Sequence, residues 1–278
     1  GIEAGFIDNR LELVFDWYNR TTSDMLGPSV QLPSVLGATV PQTNNAKLAT
    51  KGFELSLGWK DRLSDHLSYD LRLVVGDSRT TILEYRNESG SINSWYKGRI
   101  YGDQWGLTTD RMLQKAGEPM PDQSFYYATW GPGEIIYKDL DGNNVINEGA
   151  RTLADHGDLS VIANIRPRYN YGLSGNLRWK GFDLSMLWQG VGKREFLPDV
   201  NAEYFWGLNI GPSNSGIFKG GRMLDYWRPA DETNLLGPNT EAYFPKPYFS
   251  AERYKNARYQ SRYVLNAAYL RLKNLQLG

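Results

Sequence analysis

Alternation of apolar and polar side chains with a period of two is the feature of this sequence that most constrains its fold. In residues 52–60, Leu55 and Leu57 fall on one face of the segment. Glu54 and Lys60 fall on the other face. Because a β-strand sends successive side chains to opposite faces, the pattern predicts strands that each have one apolar face. The segments with this pattern are residues 11–18, 52–60, 67–75, 169–179 and 182–189.

The connections between these segments fall into two length classes. The short turns are residues 8–9, 61–66 and 180–181. The long connections follow Tyr18, Gly76 and Gly190, and they span about 33, 90 and 75 residues respectively. Short turns on one rim and long loops on the other are typical of a bacterial outer-membrane β-barrel, in which the short turns are periplasmic. The sequence therefore predicts an all-β chain that forms part of a transmembrane antiparallel barrel.

Aromatic residues are frequent, with 9 Trp, 18 Tyr and 10 Phe, and several of them lie beside the short turns. Those beside the short turns are Phe6, Trp59, Trp179 and Phe182. An interfacial aromatic belt is expected at that height. Mean hydropathy is −0.52 and no apolar run approaches the roughly 18 to 20 residues of a membrane helix, so only strands could cross a bilayer.

Charge and motif content argue against several classes of function. Lys+Arg and Asp+Glu both number 31, so the chain lacks the basic excess that nucleic-acid binding requires, and no nucleic-acid partner is expected. Cysteine is absent, which excludes disulfides and thiolate metal sites. The only histidines are His66 and His156, and no nucleophile elbow or phosphate-binding loop occurs. The chain is therefore not expected to be an enzyme.

Two other readings remain open at the level of pattern. A secreted soluble β-sandwich that binds carbohydrate also shows alternating strands, because one face of each sheet packs on a core. A glycosidase domain would need one suitably spaced pair of carboxylates among the 31 acidic residues. The asymmetry between short turns and long loops favours the barrel over both.

Several stretches carry more specific patterns than alternation. They are residues 266–278 (NAAYLRLKNLQLG), 225–230 (DYWRPA) with 242–245 (AYFP), 100–110 (IYGDQWGLTTD), 133–142 (GEIIYKDLDG), and 167–172 (PRYNYG) through 180–184 (KGFDL). These stretches resemble, in the same order, motifs of the SusC/RagA family of TonB-dependent outer-membrane transporters. The resemblance runs from the first hairpin to Gly278.

The resemblance implies a barrel of about 22 strands with an N-terminal plug, of which this chain would supply about seven strands and long extracellular loops. Residues 1–278 are then part of one barrel domain, and the plug, the TonB-contacting segment and the final strands lie outside them. The implied function is active import of a large nutrient across the bacterial outer membrane, with glycans the commonest cargo and oligopeptides the next. The implied partners are a SusD-like surface lipoprotein, TonB and the lipid bilayer, and the family also forms dimers of transporter–lipoprotein pairs. No cofactor is required.

One acidic segment has the spacing of a calcium-binding loop. The candidate ligands are Asp139, Asp141, Asn143, Val145 through its carbonyl, and Asn147. Asn144 stands where such loops usually have glycine, and Asn tolerates the left-handed conformation that this position requires. Ala150 occupies the position of the acid that normally completes the shell, so either Glu148 or Asp155 replaces it or the ligand set is short. The alternative is an Asx-rich turn without a metal.

Aromatic residues crowd the long loops and could stack on sugars or peptide side chains at an extracellular mouth. The candidate substrate-binding residues are Trp95, Trp105, Tyr126, Trp130, Tyr204 and Trp206. The alternative for any single ring is that it packs the loops into a rigid cap. We expect some rings of the set to contact substrate.

Overall fold

The computed structural model describes residues 1–29, 42–206, 224–230, 235–248 and 250–278, without the side chains of residues 203 and 204. Its main element is one antiparallel sheet of seven strands, which lie side by side in the order of the chain. These strands are β1 (Ile2–Phe6), β2 (Leu11–Gly27), β3 (Thr43–Ser64), β4 (Leu67–Glu84), β9 (Arg168–Trp179), β10 (Phe182–Lys193) and β13 (Tyr269–Leu277). The predicted fold class and strand number are thereby confirmed. Within the described ranges, no helix is long and apolar enough to cross a membrane.

The strand register gathers the apolar side chains into rows that cross the whole sheet. The central row is Ala4, Leu13, Leu57, Leu73, Leu173, Trp188 and Leu272, each residue directly opposite the next. The row on the short-turn side is Phe6, Leu11, Trp59, Leu71, Gly175, Met186 and Leu275, and the row on the other side is Ile2, Phe15, Leu55, Val75, Tyr171, Gly190 and Leu270. We call these three rows the apolar belt.

No second sheet covers the apolar belt in the described residues. Leu55 is only half-buried, and Leu71 and Leu275 are 44% and 59% exposed; Leu184, on the same face one row beyond the belt, is also only half-buried. A soluble β-sandwich would bury these side chains in its core. An uncovered belt that crosses every strand is instead what the lipid-facing wall of a barrel presents.

The opposite face of the sheet is polar and hydrogen-bonded from strand to strand. Asn176 Nδ2 donates to Asp70 Oδ2 at 2.9 Å, and Ser185 Oγ donates to Asn176 Oδ1 at 2.7 Å. Lys60 Nζ pairs with Glu12 Oε1 at 2.6 Å. Such a face suits a water-filled lumen, as the alternation predicted.

The strands extend further than the alternation indicated. β2 reaches Gly27, β3 begins at Thr43 and β4 reaches Glu84, so much of the first long connection is strand. Beyond the apolar belt the strands carry polar residues on both faces, for example at Thr21 and Thr22, and the period-two signal is lost while backbone pairing continues. The predicted turn at residues 61–66 was too long, because β3 continues to Ser64 before the chain reverses.

The described residues between β4 and β9 and between β10 and β13 form what we call the loop layer. It contains the strands β5 (Asp103–Leu107), β6 (Thr109–Met112), β7 (Ile135–Tyr137), β8 (Leu159–Asn164), β11 (Glu195–Phe196) and β12 (Leu265–Asn266), the helix α1 (Glu203–Trp206), and 3-10 helices at Ala251–Lys255 and Ser261–Tyr263. The first buried cluster comprises Ile92, Leu107, Met112, Ile135, Tyr137, Ile146, Leu159, Trp227 and Ala242. The second comprises Ala202, Phe205, Trp206, Phe244, Ala257 and Tyr263. The protein core of the chain therefore lies in the loop layer.

Candidate functional site in the loop layer

Among the described candidate rings, Trp95 packs against neither buried cluster, and it is partly accessible. Its ring centroid lies 5.4 Å from that of Tyr85 and 5.6 Å from that of Tyr101, and all three side chains are half-buried or exposed. The Arg166 guanidinium lies 4.4 Å from the centroid of Tyr101. We call these four residues the aromatic platform. Apart from Trp95, its members were missed by the sequence analysis, although Tyr101 belongs to one of the recognised motifs.

Three other candidate rings, those of Trp105, Tyr126 and Trp130, pack partly buried against the first cluster. Trp105 Nε1 donates to Tyr96 Oη at 3.2 Å, and Trp130 Nε1 donates to the Tyr127 carbonyl at 2.9 Å. These contacts hold the indole rings in place, so both tryptophans serve at least to order the loops.

Tyr126 carries a polar contact that packing alone does not require. Its hydroxyl donates to Glu148 Oε1 at 3.2 Å, and the Arg258 guanidinium lies 4.6 Å from its ring centroid. Burial, followed by the nearby Glu148 carboxylate, raises the pKa of Tyr126 well above its usual value. The hydroxyl therefore remains a hydrogen-bond donor at any physiological pH.

The last two aromatic candidates lie in α1. Trp206 is 1% exposed and packs against Phe205 and Tyr263 in the second cluster, and its Nε1 donates to the Asp199 carbonyl at 3.0 Å. In this conformation its ring is not accessible to a substrate. The side chain of Tyr204 lies outside the described residues.

The acidic segment folds into a tight loop in which Asn144 has a φ of 62° and Gly142 a φ of 78°. The left-handed conformation predicted for Asn144 is confirmed. Carboxylate oxygens of Asp139, Asp141 and Asp158 lie within 4.8 Å of one another, which is close enough for one divalent cation to bind all three.

The third acid in this cluster is Asp158, not Glu148 or Asp155. Glu148 pairs with Arg151, and Asp155 Oδ2 accepts from the Ala150 N–H at 2.9 Å. Asp158 is fully buried, and its two oxygens accept from the N–H groups of Leu140 and Asn147 at 2.7 and 2.9 Å. A chain reversal between residues 147 and 158 returns Asp158 to the loop, and linear spacing cannot reveal this.

The remaining predicted ligands have partners within the loop. Asn143 Oδ1 accepts from the Val145 N–H, and Asn147 Oδ1 accepts from the Gly149 N–H, both at 2.7 Å. N–H groups of Asn144 and then Gly142 hold the pKa of Asp139 below its usual value. The donor set suits a hard cation such as Ca²⁺, and calcium occupancy stays a prediction.

A buried ion pair, which we call the Lys255 clamp, ties two segments of the loop layer together. Lys255 Nζ lies 2.7 Å from Glu134 Oε1 and 2.9 Å from Glu252 Oε2, and Lys255 and Glu134 are 2% and 0% exposed. Rings of Tyr127 and Tyr248 lie 4.8 and 5.3 Å from the ammonium. A buried lysine this well paired fixes the relative position of the segments that supply its partners.

No protein-family model matches the chain. Three curated relatives match it over its whole length. They are TonB-dependent receptor P3 of Formosa agariphila, 28% identical, TonB-dependent receptor SusC of Bacteroides thetaiotaomicron, 23% identical, and TonB-dependent receptor P39 of Formosa agariphila, 22% identical. The chain covers 26%, 25% and 28% of these relatives, so it spans about a quarter of their length.

Solved structures show the same correspondence in three dimensions. The chain matches the RagAB peptide transporter with a TM-score of 0.64, and the RagAB peptide importer in its open-open state with a TM-score of 0.65. Both matches are 20% identical in sequence and cover 99% of this chain and 27% of the other. The resemblance predicted from the motifs is confirmed: the chain is similar, over its whole length, to a segment of SusC/RagA-like TonB-dependent transporters.

Proposed function

We propose that the chain supplies part of the wall and the extracellular loops of a TonB-dependent importer in the bacterial outer membrane. The observation that carries the proposal is the apolar belt, which crosses all seven strands while the opposite face stays polar. A bilayer on one side and a lumen on the other account for both faces. Residues 1–278 are part of one barrel domain.

In this proposal the protein moves its cargo without breaking a bond. A large nutrient binds at the outer mouth beneath a SusD-like lipoprotein, and TonB supplies the energy that releases it inward. The curated relatives are named receptors and the structural neighbours a transporter and an importer, which agrees with a function in transport. We infer the lipoprotein, TonB and a dimer of transporter–lipoprotein pairs as partners from the family resemblance alone.

Glycan is the cargo class that we propose first, and oligopeptide is the alternative. The aromatic platform supports either, because the partly accessible ring of Trp95 can stack on a sugar face or on a peptide side chain. The peptide transport named for RagAB belongs to those structures, whose likeness to this chain concerns the fold.

A binding screen on the intact transporter with its lipoprotein, using a glycan array and an oligopeptide library, would identify the class. We expect Trp95→Ala to weaken the selected ligand severalfold and Trp130→Phe, which alters a ring that orders the loops, to weaken it little. Retention of full affinity by Trp95→Ala would remove the platform from the proposal. Membrane fractionation and faster migration of unheated samples would separate the barrel from a soluble carbohydrate-binding module.

A further inference from the structure

Two basic residues stand directly opposite each other just beyond the apolar belt. Lys51 of β3 and Arg79 of β4 are cross-strand partners. Lys51 is two residues from Phe53 and four from Leu55, and the register is regular here, so it shares the outward face with the belt. Arg79 is four residues from Val75 and therefore shares that face with it. Both side chains are exposed.

This basic pair is not neutralised by any ion pair within the described residues. Like charges that face each other across two antiparallel strands repel. Asp77 lies one row below on this face, and it is already bound by the Arg168 guanidinium and by the Tyr169 N–H. An anion from outside the described chain would offset the repulsion.

The height of the pair on the barrel indicates where such an anion would come from. Strands rise about 3.4 Å per residue and barrel strands tilt by about 40°, so Lys51 lies about 21 Å above Trp59 along the barrel axis. An outer-membrane barrel has an apolar band about 25 Å tall. Trp17 and Phe53, one row below Lys51, supply aromatic rings at this border. The pair therefore lies at the level of the outer-leaflet headgroups.

We propose that Lys51 and Arg79 bind the phosphate groups of a phosphorylated glycolipid in the outer leaflet. Two adjacent cations match a phosphate, and the belt below them matches acyl chains. This inference rests on the proposed membrane location. It adds a specific lipid contact on the outer surface of β3 and β4, away from the cargo route.

Retention of labelled diphosphoryl lipid A by the full-length receptor, held in neutral detergent at low salt, tests the inference. A basic residue near an anionic lipid surface contributes about fivefold in affinity, so K51Q/R79Q should reduce lipid A binding about 25-fold and K51Q alone about fivefold. The charge-conserving exchange K51R/R79K should bind like the wild type. R20Q/K115Q removes equal charge from the inward face of β2 and from the loop layer, and it should have no effect.

Fully dephosphorylated lipid A with the same acyl chains should bind weakly to every variant. Wild-type retention of diphosphoryl lipid A by K51Q/R79Q, or equal retention of the dephosphorylated form, would overturn the inference. If the receptor still fractionates with the outer membrane and migrates anomalously when unheated, such a result leaves the proposed transport function in place. If it does neither, the membrane location itself is wrong.

Discussion

The seven-stranded sheet and the loop layer use apolar side chains in opposite ways. In the sheet they form a belt that no other part of the described chain covers, as Leu275 shows at 59% exposure. In the loop layer they form two buried clusters, as Trp206 shows at 1%. In the proposed barrel, lipid covers the belt, whereas the loop layer has a protein core of its own.

This contrast means that the same kind of substitution should act differently in the two regions. In the proposed barrel, a charge on the belt would lie in hydrocarbon, and its cost would depend on its depth in the bilayer. A buried charge in the loop layer is surrounded by protein. Its cost depends on whether a residue of opposite charge lies beside it, as Glu134 does for Lys255.

The largest effect is expected at the Lys255 clamp. Lys255→Met leaves Glu134 buried without its cation, and breaking a buried pair costs about 3 to 5 kcal/mol. We expect the free energy of unfolding of the loop layer to fall by that amount, measured by near-UV circular dichroism in denaturant. The sheet, followed by far-UV signal in detergent, should unfold as in the wild type.

A matched control and a double variant sharpen that test. Lys138→Met removes an exposed lysine and should change the free energy of unfolding by less than about 0.5 kcal/mol. Glu134→Gln combined with Lys255→Met removes both charges and should recover much of the loss. A double variant no more stable than Lys255→Met would show that the clamp is not held by its charges.

The next largest effect is expected in the centre of the belt. Leu73→Arg places a charge at mid-depth, which costs about 2 to 4 kcal/mol in a transmembrane barrel. The neighbouring Val74 lies on the inward face, so Val74→Arg should cost much less. Reversible unfolding in lipid vesicles measures both. Equal destabilisation by the two arginines would contradict the assignment of one face of the sheet to lipid and the other to water.

The belt was predictable from the sequence because its cause is local. In the proposed barrel, lipid on one face and water on the other impose the same alternation on every crossing strand, so the faces of Leu55 and Leu173 could be assigned without knowing their neighbours. The signal fades above the belt, where both faces of β2 and β3 are polar, and the strand ends were therefore underestimated.

The loop layer was much less predictable because its contacts join distant parts of the chain. Lys255 and Glu134 are 121 positions apart, and nothing in the sequence near either residue identifies the other. The same holds for Asp158, which returns to the acidic loop through a reversal of the chain. Asp139 and Asp141 could be predicted as neighbours because they are close in sequence, whereas Asp158, which completes the cluster of three carboxylates, could not.

Calcium removal should have a smaller effect, confined to the loop layer. A ligand present at 100 times its dissociation constant stabilises a protein by about 2.7 kcal/mol. EDTA should therefore lower the midpoint of loop-layer unfolding, and added Ca²⁺ should restore it. Asp141→Asn should abolish the response, and Asp155→Asn, whose carboxylate accepts from the Ala150 N–H, should keep it. A wild-type midpoint indifferent to both reagents would contradict the calcium prediction.

The smallest effect is expected from acid, at Asp199 beside α1. The Asn201 N–H and then the Tyr259 hydroxyl, at 2.8 and 2.9 Å, lower the pKa of this carboxyl below its usual value. A lowered folded-state pKa means that the ionised group stabilises the fold above about pH 4 and that this contribution is lost as the pH falls through the folded-state value. Asp199→Asn should reduce the acid dependence of near-UV circular dichroism in the second cluster, whereas Asp65→Asn, at a short turn of the sheet, should leave it unchanged. If Asp199→Asn titrates like the wild type, the acid response of the loop layer arises from other carboxylates, and Asp199 does not link α1 to Tyr259 in solution.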